Sequence, residues 1–124
     1  MKDKMKDKRK QTGQLGEEIA LAYLLDQGYR LLTRNYQCSL GEVDLIVAKQ
    51  DTLVFVEVRT RHGVRYGSPE ESVSRTKRDR VRRVAQYYLK SYSNKDVPIR
   101  FDVVGIALGS QNEVVKLNHI QGAF

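Results

Sequence analysis

The spacing of apolar residues changes several times along the chain, and each change marks an element. MKDKMKDKRK, at the N-terminus, has no apolar period. Beyond it Leu15, Ile19 and Ala22, with Ala20, Tyr23 and Leu24, form a broad helical face, and Gly28 suits the end of that helix. YRLLTRNY, residues 29–36, alternates weakly as a strand. Two near-continuous apolar runs follow, at 42–48 and 53–60, and predict two more strands. RHGVRYG, residues 61–67, reads as a loop. SPEE at 68–71 carries a capping box with proline at the first helical position, and Ser74 is a second cap. Between them they predict a helix to about Tyr92, with an inward stripe of Val73, Lys77, Val81, Val84, Ala85, Tyr88 and Tyr92. PIRFDVVGIAL (98–108) and EVVKLNHI (113–120) predict two strands joined by a turn at Asn112. The order α-β-β-β-α-β-β predicts an α/β (mixed α+β) fold, a central mixed sheet flanked by helices. Residues 13–124 read as one domain behind a disordered basic arm of residues 1–12.

Two acids break the pattern. Asp44 and Glu57 sit inside the apolar runs, where an unpaired carboxylate is costly to bury. If the two strands form a hairpin turning at Gln50-Asp51, position 44 falls opposite 57 and position 42 opposite 59. Opposed residues share a face, with Cβ atoms ~4.5–5.5 Å apart, and like charges placed so are destabilising. A divalent cation between the two acids would compensate, since Mg²⁺ takes one or two carboxylates with water and phosphate. Ordinary ion pairs are the other reading: Arg59 with Glu42, and Arg34, Arg59, Arg61 or Arg100 with either acid.

Composition narrows the choice of metal. One cysteine, Cys38, and two distant histidines, His62 and His119, offer no zinc-type spacing, so a metal here should be a hard cation held by oxygen. The lone thiol, the lack of a signal-peptide core and the lack of a long apolar run predict a cytoplasmic protein with no membrane partner. Lys and Arg total 22 against 15 Asp and Glu, a net charge of +7, which favours a polyanion partner. Much of that surplus is clustered in the second helix: Arg75, Lys77, Arg78, Arg80, Arg82, Arg83 and Lys90 stand against Asp79 alone. Arg75, Arg78 and Arg82 are phosphate-contact candidates, as is Arg61 in the preceding loop. Tyr66 in that loop is a candidate for stacking on a base.

Asp44, followed by Glu57-Val58-Arg59 on the next strand, resembles the D…(E)xK signature of restriction-endonuclease-like nucleases. GQLGEEIALAYL, RNY, GEVDLI, FVEVRTR, SPEESVSRTK, RFDVVGI and HIQGAF together resemble the YraN-like family of predicted nucleases, over nearly everything beyond the basic arm. The fold is also similar to that of archaeal Holliday-junction resolvases. The resemblance implies a restriction-endonuclease-like fold and a metal-dependent endonuclease acting on DNA, with branched DNA as a candidate substrate and a homodimer as the expected assembly. It implies Mg²⁺, with Mn²⁺ as substitute, on Asp44, Glu57 and the Val58 carbonyl. Glu17 would complete the catalytic set.

The chain departs from the signature at Arg59, which occupies the lysine position. Arginine stays protonated and cannot act as a base, although it can clamp a phosphate with two hydrogen bonds. Lys77, on the inward stripe, is the candidate substitute; a surface lysine with its stem laid along the protein is the alternative. Two further readings remain open beside the nuclease: an inactive nucleic-acid-binding protein on a nuclease scaffold, and a partner-binding protein with ion-paired acids.

Overall fold

The structure, a computed structural model, describes residues 4–63 and 73–124, with side chains from Asp7 onward. Its elements are α1 (Lys4–Asp26), β1 (Arg30–Cys38), β2 (Gly41–Lys49), β3 (Thr52–His62), α2 (Arg75–Leu89), β4 (Ile99–Leu108) and β5 (Val114–Ile120). The five strands form one sheet in chain order. β3 and β4 are parallel, and the other neighbouring pairs are antiparallel. A parallel pair needs a crossover connection, and α2 lies in it. This is the mixed sheet and element order that a restriction-endonuclease-like fold calls for.

Strand alternation splits the core in two. Val54, Val56 and Val58 of β3 join Leu45, Val47, Val104 and Ile106 under Ala20, Leu21 and Leu24 of α1. Leu53 and Phe55 turn the other way and join Val43 and Ile46 under Val81, Val84 and Ala85 of α2. Each helix thus covers one face of the sheet. Because β3 is buried on both sides, its sequence reads as a continuous apolar run rather than an alternation.

Several boundaries follow from local chemistry. Gly28 takes a φ of 93°, its N–H donates to the Leu25 carbonyl, and the Tyr29 N–H donates to the Leu24 carbonyl. This is a Schellman motif, and it closes α1 at the glycine that the sequence singles out. The β2–β3 hairpin turns at Gln50, with φ 54°, and pairs Lys49 with Thr52 through Leu45 with Val56, the predicted register. Asn112, with φ 63°, makes the β4–β5 turn.

Three expectations need correction. Residues 4–12, read as a disordered arm, are the first part of α1. Lys, Arg, Gln and Met are good helix formers, and a helix segment with little apolar surface to bury shows no apolar period. Arg61 and His62, read as loop, remain in β3, paired with Ala107 and Leu108. Of the two candidate caps, Ser74 starts the described helix, which ends at Leu89 rather than Tyr92. The SPEE box and Tyr66 lie outside the described residues.

Candidate active site

The ladder between β2 and β3 runs only as far as Leu45↔Val56. One residue beyond it, Asp44 turns its carboxylate into the gap and accepts a hydrogen bond from the Val58 N–H at 2.8 Å. A side-chain oxygen thus takes the place of the backbone carbonyl that a continued ladder would supply. The opening between the strands explains why Asp44 is half-buried while its neighbours Val43 and Leu45 are fully buried. The predicted opposition of positions 42 and 59 also lies past the end of the ladder. Glu42 is registered instead with Gln37 of β1, whose amide donates to it at 3.2 Å.

Glu57 is one residue past the last registered pair on the β3 side and is only 2% exposed. Strand alternation turns it toward α2. There Ser74 caps the helix by accepting from the Lys77 N–H at 3.2 Å, which sets Lys77 in the first turn. The Lys77 ammonium lies 3.5 Å from Glu57 Oε1. Lys77 therefore points at the sheet. Arg59, two residues along the same strand, also reaches Glu57 Oε1, at 3.9 Å.

Glu17 arrives on α1, whose approach is set by Gly16. A Cβ at Gly16 would fall 1.8 Å from Thr60 Oγ1 and 2.7 Å from Thr60 Cβ, so the helix backbone rests directly on β3 at this point. Glu17 is the next residue. Its neighbour Glu18 is held to Arg34 of β1 by an ion pair on the surface.

Glu17 and Glu57 each feel the charge of Asp44. Burial is the largest cause raising the carboxyl pKa of Glu17, and the Asp44 charge adds to it. Burial and the Asp44 charge also push Glu57 up to about 7, against the pull of Lys77 and Arg59. Asp44 is itself raised by burial, offset in part by the Val58 N–H and by Lys77. Glu17 Oε1, Glu57 Oε2 and Thr60 Oγ1 are buried with no hydrogen-bond partner among the described residues. Orphaned carboxylate oxygens of this kind suit a hard cation. Among the described residues no three or more His, Cys, Asp and Glu side chains make a complete ligand cluster. Asp44 and Glu57 are the two carboxylates that could hold such an ion, with water and phosphate completing its shell.

The arginines proposed for phosphate contact divide. Arg75 is exposed at the start of α2. Arg78 bonds the Val73 carbonyl and lies 5.9 Å from the Phe124 ring centroid. Arg82 pairs with Asp79 at 2.9 Å and lies 5.4 Å from the same ring. Both are thus partly engaged within the protein. Arg61 lies in a cleft beside Arg59. What sequence reading missed is on the other wall of that cleft: Arg9, Thr12 and Gly13 of α1. The available signal was the pair Gly13 and Gly16, two poor helix formers one turn apart inside a helix.

Comparison with known proteins agrees with the full length of the fold. The family described as "Uncharacterised protein family UPF0102" matches residues 16–106. A UPF0102 protein of Moorella thermoacetica is 48% identical over 116 residues, 94% of this chain and 97% of its own. One from Pelotomaculum thermopropionicum is 44% identical over 97% of this chain and 100% of its own length. One from Caldicellulosiruptor saccharolyticus is 41% identical over 94% of this chain and 98% of its own.

Proposed function

The chain belongs to the uncharacterised protein family UPF0102, and we propose that it is a divalent-cation-dependent endonuclease hydrolysing phosphodiester bonds in DNA. One observation carries the reading. Glu57, buried in β3, lies 3.5 Å from Lys77 of α2 and in the field of Asp44 of β2, which also acts on Glu17 of α1. Such clustering of raised carboxylates beside a cation is costly to the fold, and perturbed groups of this kind concentrate at functional sites.

Asp44 and Glu57 would hold Mg²⁺, or Mn²⁺ in its place, and the ion would supply charge neutralisation at the phosphate and acidify a water. Lys77 supplies the ammonium that the motif lacks at Arg59, and its reach to Glu57 lets it orient a water at the same carboxylate. Arg59 clamps a phosphate oxygen through its guanidinium. Glu17 would orient water through its buried Oε1, which has no hydrogen-bond partner among the described residues.

The test is cleavage of labelled linear, flapped and four-way-junction DNA with Mg²⁺, Mn²⁺ or EDTA. Wild type should cut only with a divalent ion. Glu57→Ala and Lys77→Ala should each lose at least ~10²-fold, the scale of removing one preorganised charge contact. Cutting that survives Asp44→Ala and Glu57→Ala sinks the proposal. Salt-sensitive binding without cutting would favour the inactive scaffold that Arg59 suggests, and Arg59→Lys then asks whether a motif lysine restores turnover.

A further inference from the structure

The two glycines of α1 are there for different reasons. Gly16 is required by its contact with Thr60. Gly13 is not required by packing: among the described residues, a Cβ there would meet no atom within 4 Å. Glycine inside a helix costs ~0.5–1 kcal/mol relative to alanine, and nothing in the described fold repays that cost. The bare surface at Gly13 forms part of a cleft of about 550 Å³, walled also by Arg9 and Thr12 of α1 and by Arg59, Thr60 and Arg61 of β3. Thr12 and His62 line a second cleft as well, of about 420 Å³, which Lys8, Ser110 and Asn112 help to enclose. The His62 ring is held at 2.7 Å by the Asn112 side chain, tying the β4–β5 turn to the groove.

The chemistry of the lining is one-sided. Lys8, Arg9, Arg59 and Arg61 contribute positive charge, and no Asp or Glu is among the described residues lining either cleft. Among the described residues no Tyr, Phe or Trp lines them, so these walls offer phosphate contacts rather than stacking platforms. None of the three acids lines the first cleft, but Val58 and Arg59 do, and these bond Asp44 and reach Glu57, so the cleft lies next to those two carboxylates. Recesses of ~300–1,000 Å³ hold ligands of drug size; a duplex with a major groove ~12 Å wide is too large to enter one.

We infer that the two clefts form one track for single-stranded DNA, gripped by its phosphates and leading away from the scissile position, with Gly13 bare so that the strand passes close over α1. This rests on the nuclease reading for its direction and names the form of DNA that the site would take.

The experiment measures fluorescence anisotropy of a labelled oligothymidylate and of a blunt duplex, in EDTA across a salt series. Thermal melts and cleavage of flapped DNA are measured in parallel. Leucine is the better helix former, so Gly13→Leu should melt no lower than wild type yet bind the oligothymidylate about tenfold more weakly. Duplex affinity should change less. Arg9→Ala should reduce the slope of log affinity on log salt by about 0.7, one single-strand phosphate contact. Unchanged single-strand binding in Gly13→Leu overturns the track, as does equal loss on the duplex or no single-strand binding by wild type. Metal-dependent cutting by a Gly13→Leu protein with wild-type binding would leave the nuclease standing without the track. Groove variants that weaken binding in a protein that never cuts would do the reverse.

Discussion

Glu57 shows how one residue carries two opposing demands. Its carboxyl is 2% exposed, within reach of Lys77 and Arg59, and lies in the field of Asp44. Burial, then Asp44, raises its pKa from the usual 4.5 to about 7, so in the folded protein the protonated form is favoured. A carboxyl raised on folding stabilises fully below its unfolded pKa, and that contribution is lost as pH rises through the folded value. Glu17 and Asp44 are raised as well, so the same sign applies to them. In EDTA the melting temperature should therefore fall as pH rises from about 5 to about 8, following the shift from 4.5 to about 7. Glu57→Gln should flatten this fall and melt a few degrees higher above pH 7, since ~1 kcal/mol moves a domain of this size by several degrees. Thermal melts of the two proteins across that range decide it; superimposable profiles would show that the carboxyl does not titrate as placed. The sequence made this residue visible, because a carboxylate within LVFVEV stands out. The inward aim of Lys77 was also legible, from its place on the helical stripe. The peeling apart of β2 and β3 at Asp44 was not, since it depends on a side chain replacing a backbone partner.

Between elements, the contact of α1 with β3 decides where Glu17 sits. A Cβ at Gly16 would lie 1.8 Å from Thr60 Oγ1, well inside any real contact, and Thr60 belongs to a strand fixed by β4. Gly16→Ala brings a propensity gain of ~1 kcal/mol against overpacking of ~1–3 kcal/mol. Net destabilisation should result, together with an outward shift of α1 that carries Glu17 away from Asp44. Thr60→Ala in the Gly16→Ala background removes the hydroxyl but leaves Cβ, which a new Cβ would meet at 2.7 Å, so it should recover only part of the loss. A double-mutant cycle on denaturant midpoints measures that coupling. A Gly16→Ala protein as stable as wild type would remove the account of how the helix is positioned. Element order, the hairpin register and the stop at Gly28 were all readable from period and turn chemistry. The length of α1 was not, because Lys, Arg and Gln form helices without any apolar period. The Gly16–Thr60 contact joins residues far apart in sequence, and no local pattern encodes it.

Across the whole molecule, a buried polar network ties the end of α1 and the turn after β5 to the sheet. Asp102 of β4 is fully buried, and Arg100 grips both its oxygens at 2.8 Å. His119 of β5 bonds it at 2.7 Å, and the Gly122 N–H donates to it at 3.1 Å. His119 also meets the Tyr23 hydroxyl of α1 at 3.0 Å, and Arg100 donates to the Tyr29 hydroxyl at 2.6 Å. The histidine and the tyrosines converge on this pair from separate elements, so no local sequence pattern shows them. Burial alone would raise the Asp102 carboxyl, but the bonds from His119, Arg100 and Gly122 outweigh it and hold the group below its usual range. A carboxyl lowered on folding stabilises above its unfolded pKa and loses that contribution as pH falls through the folded value. The network therefore opposes Glu57 in sign: the carboxylates at the candidate site weaken the fold as pH rises, and Asp102 weakens it in strong acid. Asp102→Ala removes one partner and leaves buried donors unmatched, a change that typically costs ~3–5 kcal/mol, a large share of the ~5–15 kcal/mol that holds a domain together. Asp102→Asn keeps the shape and one acceptor and should lose less. Denaturant midpoints at neutral pH measure both losses. A loss below ~1 kcal/mol for Asp102→Ala, the worth of an ordinary hydrogen bond, would mean that this network does not hold α1, β4 and β5 together.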